Sequence, residues 1–159
     1  MMVSRVCARA LVVIAATAAS VSAAAGQTTV IFNDSKPDVV YATLRAGAYA
    51  DTNLPTVLTT RAADTSTSNH RRAMLKFDTQ NRIPAGSSVT SALLTVTVKS
   101  GGTSDSGRTI AAYQVTTSWA ETEATWNRRR TSTGWTNAGG DLGSLVAKQV
   151  VSNVVGTKV

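Results

Sequence analysis

Residues 71–98, RRAMLKFDTQNRIPAGSSVTSALLTVTV, constrain the fold more than any other stretch of the chain. From Arg72 to Asp78 the side chains alternate: Ala73, Leu75 and Phe77 are predicted to face a core, Arg72, Met74, Lys76 and Asp78 to face away. From Thr90 to Val98 they alternate again, with Ala92, Leu94, Val96 and Val98 on one face and Leu93, Thr95 and Thr97 on the other. Period two is the signature of a half-buried strand. Ile83-Pro84-Ala85-Gly86-Ser87-Ser88 between them has turn chemistry. The stretch therefore predicts two strands of one sheet joined by a Pro-Gly connection.

The same pattern recurs along the chain. Thr28–Phe32, Val39–Ala46, Thr56–Arg61, Thr109–Thr116 and Ser144–Val155 are further β-rich runs. In Val39–Ala46 the residues Val40, Ala42 and Leu44 are predicted inward, Tyr41, Thr43 and Arg45 outward. Turn clusters separate the runs: Asn33–Asp38, Gly47–Pro55, the polar tip Ala62–His70 and the Gly/Ser-rich Lys99–Gly107. Ser118–Trp126 is predicted as a loop with a short helical turn, and 128–143 as irregular. No helical periodicity is sustained, and Thr, Ser and Val favour strands. The prediction is an all-β, jelly-roll-like antiparallel sandwich. The pattern runs unbroken to Val159, as if one or two closing strands followed.

The N-terminus has a different character. Arg5 and Arg9 precede the apolar run Ala10–Val21, and Ser22–Gly26 supplies small residues for cleavage after Ala23 or Ala25. Residues 1–25 thus read as a secretory signal peptide, and 28–159 as the module it exports; the apolar run is too short for a membrane span, so no membrane association is expected after cleavage. The single cysteine, Cys7, leaves with the signal, so the exported chain has no disulfide. Losing Arg5 and Arg9 leaves 14 basic against 9 acidic residues, a charge of +5. That suits an acidic partner such as a uronate polysaccharide. Nucleic acid is not expected, because a dense basic stripe interleaved with aromatics is missing.

Catalytic signatures are scarce. His70 is the only histidine and belongs to no metal or triad spacing, and phosphate-binding glycine patterns are absent. Glu121 and Glu123 are close in sequence, but nothing sets two carboxylates across a cleft. The chain is therefore not expected to be an enzyme, nor to need a cofactor. Asp51 and Asn53, with Thr52, supply hard oxygen donors in one turn; they are candidate ligands for a structural Ca²⁺, although an Asx-turn needs the same residues.

Binding candidates are clearer. Arg71, Arg72 and Lys76 flank the opening strand, with Arg45 and Arg61 on earlier strands. Guanidinium groups pair bidentately with carboxylates. Arg72 and Lys76 project the same way, about 13 Å apart by strand rise. Trp119 and Trp126 are expected as core rings, whereas Trp135, between Gly134 and Thr136 in a polar loop, is expected to be exposed.

Tyr49-Ala50-Asp51-Thr52-Asn53, then Arg71–Asp78, Ile83–Gly86, Val89–Leu94 and Trp119-Ala120-Glu121-Thr122-Glu123-Ala124-Thr125-Trp126-Asn127 resemble, in order and spacing, the DNRLRE-type domain. The resemblance spans residues 29–155. It implies a secreted jelly-roll module that binds polysaccharide without catalysis, similar to carbohydrate-binding modules beside alginate lyases and in disaggregatase-related proteins. It also implies a companion catalytic or adhesive domain beyond the C-terminus, and a framework role for Trp119, Trp126 and Asn127. Arg45, Arg71, Arg72 and Lys76 are then the expected carboxylate contacts on one sheet face, with Tyr49 and Trp135 as stacking platforms. A structural or adhesion module without a sugar ligand is the alternative.

Overall fold

The computed structural model describes residues 6–18 (by their backbone), 27–33, 37–56, 58–61, 70–99, 108–151 and 154–156. The cleavage region 22–26, most of the turn clusters at 34–36, 62–69 and 100–107, and residues 157–159 lie outside the described residues. Among the described residues ten strands follow in chain order: β1 (Val6–Ala18), β2 (Gln27–Phe32), β3 (Val39–Arg45), β4 (Thr59–Thr60), β5 (Arg71–Phe77), β6 (Ser87–Val98), β7 (Arg108–Val115), β8 (Arg128–Arg130), β9 (Thr133–Gly134) and β10 (Leu142–Val151). The only helical pieces among the described residues are a 3-10 turn at Gly47–Tyr49 and α1 (Thr79–Arg82). None is long and apolar enough to cross a membrane.

The chain is an all-β sandwich built from antiparallel pairs, as its alternation predicts. β1 lies between β2 and β6 and reaches β4 at its start. β3 pairs with β5, β7 with β10, and β8 with β9. One expectation is overturned. β5 and β6 do not pair; β5 joins β3 and β6 joins β1. The segment 78–86 is therefore a crossover between sheets. α1 takes up the rise, and Gly86, at φ +80, makes the turn into β6.

Alternation along β3 and β5 has a different meaning from the one expected, because both faces are covered. Val39, Phe77 and Leu75 face Phe32, Val30 and Leu94 of the neighbouring sheet, with Phe32 and Phe77 edge-to-face at 5.9 Å. Ala42, Leu44 and Met74 face Trp119, Ala124 and Trp135 on the opposite side. Met74, expected outward, is only 3% exposed. Thr43, also expected outward, is buried and accepts the Thr59 N–H through its hydroxyl at 2.9 Å. A strand pair in the middle layer needs apolar or hydrogen-bonded side chains on both sides.

Arg82 fixes the crossover. It is ion-paired with Asp38, donates to the Ile31 carbonyl at 3.2 Å and lies 5.8 Å from the centre of the Phe32 ring.

Candidate functional site

The basic residues of β3 and β5 fall into two sets, because neighbours along a strand point to opposite faces. Arg45 stands opposite Arg71 in the β3–β5 register, and Arg61 opposite Arg71 in a bridge beyond β4. The Arg61 and Arg71 backbones bond each other reciprocally at 3.0 and 2.9 Å. Directly opposed residues project to the same side. Arg45, Arg71 and Arg61 therefore form one row across three adjacent backbone segments, each step about 4.8 Å. The 3-10 turn sets Tyr49 beside the row. Tyr49 is 44% exposed, and its ring carries the Arg45 guanidinium at 3.5 Å from its centre. The Nε atoms of Arg45 and Arg71 are buried.

Arg72 and Lys76 belong to the other face, so the expected single basic face is divided. Arg72 donates to the Gly139 carbonyl at 2.7 Å and sits 5.1 Å from the Trp126 ring centre. Lys76 is exposed, with Nζ 5.4 Å from the Trp119 ring centre, and borders a cleft of about 440 Å³ with Pro37, Val40, Phe77, Asp78, Thr79 and Gln80. The Arg72 contact dictates glycine at 139. That residue has φ +89, and a Cβ there would lie 2.8 Å from Trp126 and 2.9 Å from the Arg72 nitrogen. Gly139→Ala is expected to cost at least about 1–3 kcal/mol from backbone strain alone, measured by urea unfolding.

The tryptophans divide as well. Trp119 is buried, as expected, and Trp126 is half-buried against the same cluster. Trp135 corrects the expectation of exposure. It is only 8% exposed and its indole N–H donates to the Thr125 carbonyl at 2.9 Å. The polar neighbours misled: the β8–β9 hairpin folds back and inserts this one ring beside Leu44 and Met74. Trp135 cannot stack on a sugar from that position.

The turn 50–54 is a clamp on the tryptophan segment. The Asn53 amide donates to the Glu121 and Ala124 carbonyls at 2.8 and 2.7 Å. Asp51 is 3.3 Å from Arg128, and the Ala50 carbonyl accepts the Asn127 N–H. Among the described residues no group of three or more His, Cys, Asp or Glu side chains gathers as a metal site would. The His70 ring lies 6.2 Å from the Trp126 ring, on the face that carries Arg72.

Two carboxylates are held below their ordinary range. Glu123 is lowered chiefly by the Thr131 backbone N–H, which donates to it at 2.6 Å, and further by Arg130. Asp141 is lowered chiefly by the Asn137 N–H at 2.9 Å, with the Thr117 hydroxyl at 3.0 Å on its other oxygen. A depressed folded-state pKa stabilises above the unfolded value and ceases to do so as pH falls through the folded one. The melting temperature is expected to hold from pH 7 to about 5 and to fall below about pH 4. Asp141→Asn is expected to flatten that fall.

Strand pairs stacked in layers, a tryptophan-bearing loop as their cover and a basic row at one end describe a β-sandwich binding module. The model of carbohydrate-binding module family 96 matches residues 35–139, and the chain belongs to that family. The match takes in Arg45, Tyr49, Arg61, Arg71 and the whole tryptophan segment. No curated protein and no solved structure matches the chain.

Proposed function

We propose that the chain is an exported, non-catalytic module of the DNRLRE type that binds an acidic polysaccharide, with alginate as the leading candidate. The arginine row carries the proposal. A chain of carboxylates accepts paired hydrogen bonds from guanidinium groups. The row runs perpendicular to the strands, so a polyuronate lying across β3, β5 and Arg61 meets one guanidinium after another. Tyr49, 44% exposed, offers aromatic surface for a sugar ring at the end of the row. Export by residues 1–25 places the module where such polymers occur, and a companion domain outside the chain would act on or adhere to the polymer that the module holds.

Affinity electrophoresis in gels cast with alginate, pectin or a neutral glucan tests the proposal. Retardation is expected in the uronate gels alone, and should fade as salt screens the charges. Equal mobility of the folded protein in every gel would reject it. A second reading, a spacer or adhesion module with no sugar ligand, is favoured by the burial of Trp135, which removes one of the two expected stacking platforms. It expects equal mobility in all the gels.

A further inference from the structure

The cleft beside Lys76 takes no part in the arginine row. Lys76 and Arg71 are five residues apart on β5, so they project to opposite faces and stand about 17 Å apart by strand rise. The row runs across the strands, so a polymer lying along it stays at its own end of β5. The cleft, of about 440 Å³, is of the size that holds small molecules. Lys76 is exposed, and its Nζ reaches the Trp119 carbonyl only at 3.5 Å, beyond the usual hydrogen-bond range. An ammonium has three protons to donate, and the Trp119 ring centre at 5.4 Å helps to hold this one in place. Asp78 accepts the Asn81 amide on both carboxylate oxygens, at 3.0 and 2.9 Å, and each oxygen has a second lone pair. Gln80, exposed, adds an amide. Val40 stands opposite Lys76 in the β3–β5 register and so shares its side; with Pro37 it gives the cleft an apolar wall.

We propose that this cleft is a second saccharide site, which takes a single uronate residue independently of the arginine row. That the ligand is a uronate rests on the polysaccharide reading given above. The sugar's carboxylate meets Lys76, its hydroxyls meet Asp78 and Gln80, and its CH groups lie against Val40 and Pro37. Lys76 and Asp78 are two residues apart, about 7 Å by strand rise, which is about the width of a hexose ring with its substituents. Charge limits what the cleft admits. One ammonium beside one carboxylate suits one acid group flanked by hydroxyls, whereas a run of carboxylates would meet Asp78. The row, with three guanidinium groups, takes the run. Occupied together, two sites on opposite faces let one module hold two polymer chains at once.

The test is a titration of the ¹⁵N-labelled whole chain with a four-residue oligouronate prepared from alginate. Two sets of backbone amide signals are expected to move: Arg45, Tyr49 and Arg71 for the row, and Lys76, Asp78, Thr79 and Gln80 for the cleft. The cleft offers one cation, so its set is expected to saturate at a concentration about tenfold higher or more. Lys76→Met keeps the apolar stem and loses the charge; it is expected to abolish the cleft shifts and leave those of the row. Gln80→Ala, at an exposed position, is expected to weaken the cleft set about threefold. Arg45→Ala is expected to weaken the row set alone. Cleft signals that stay still in the folded protein, that move equally with a neutral oligoglucan, or that survive Lys76→Met overturn the proposal. The two readings fail separately. Row shifts with a silent cleft reject the second site and leave the row, and cleft shifts with a silent row uphold the second site and reject the row.

Discussion

Trp135→Ala is expected to be the most destabilising single substitution in the module, at about 3–5 kcal/mol. The ring fills the space between Ala42 and Leu44 of β3, Met74 of β5, and Trp119 and Ala124 of the loop. Truncation opens a cavity there and leaves the Thr125 carbonyl without its indole donor. Since domains of this size are stable by about 5–15 kcal/mol in all, the alanine variant is expected to be largely unfolded at 37 °C. Trp135→Phe keeps most of the volume and loses the N–H together with part of the ring. It is expected to remain folded with a loss of about 1–2 kcal/mol, and so supplies a measurable unfolding curve where alanine does not. A loss below about 0.5 kcal/mol for Trp135→Ala, the range of surface substitutions, would mean that the ring is not in the core.

Substitutions in the arginine row are expected to give the largest effects on binding while sparing the fold. Each guanidinium that meets a carboxylate contributes a charge-assisted pair worth about 1.5–3 kcal/mol, or about 10- to 100-fold in affinity. Arg45→Ala and Arg61→Ala are each expected to weaken alginate retention by that factor. Lysine at either position keeps the charge but not the planar fork, and is expected to recover only part of it. Arg72→Ala is the informative contrast. Its side chain already holds the Gly139 carbonyl, so it is expected to lower stability without changing retention per folded molecule. Calorimetry of unfolding and gel retardation, run on the same samples, separate the two effects.

Much of the fold was readable in the sequence because a strand pattern is local. The runs that became β2, β3, β5, β6, β7 and β10 announce themselves by alternation and β-branched residues. What alternation cannot reveal is which strands pair. Pro84 and Gly86 suggested a hairpin, yet the chain crosses between sheets at that point. Nor can it show that a strand is covered on both sides. Met74 and Thr43 sit at positions that read as outward, and only the arrival of the tryptophan loop and of Thr59 buries them.

The site was readable in part. Arg45, Tyr49 and Arg71 do come together, whereas Arg72 and Lys76 sit on the opposite face because they are out of phase with Arg71 and Arg45. Arg61 was within reach of sequence reasoning. It and Arg71 bracket the polar tip symmetrically, so a hairpin closed at that tip sets them opposite each other. The burial of Trp135 was not, because nothing near it in sequence signals a hairpin that folds inward.

The arginine row is tested most directly by the side-chain Nε–H signals of a ¹⁵N-labelled sample, recorded at mildly acidic pH while a defined oligouronate is added. The signals of Arg45, Arg61 and Arg71, assigned by single substitutions, are expected to shift together and saturate at one concentration, with Arg72 and Arg82 unmoved. Saturable shifts confined to Arg72, or no shifts in a sample that remains folded, would contradict binding through this row.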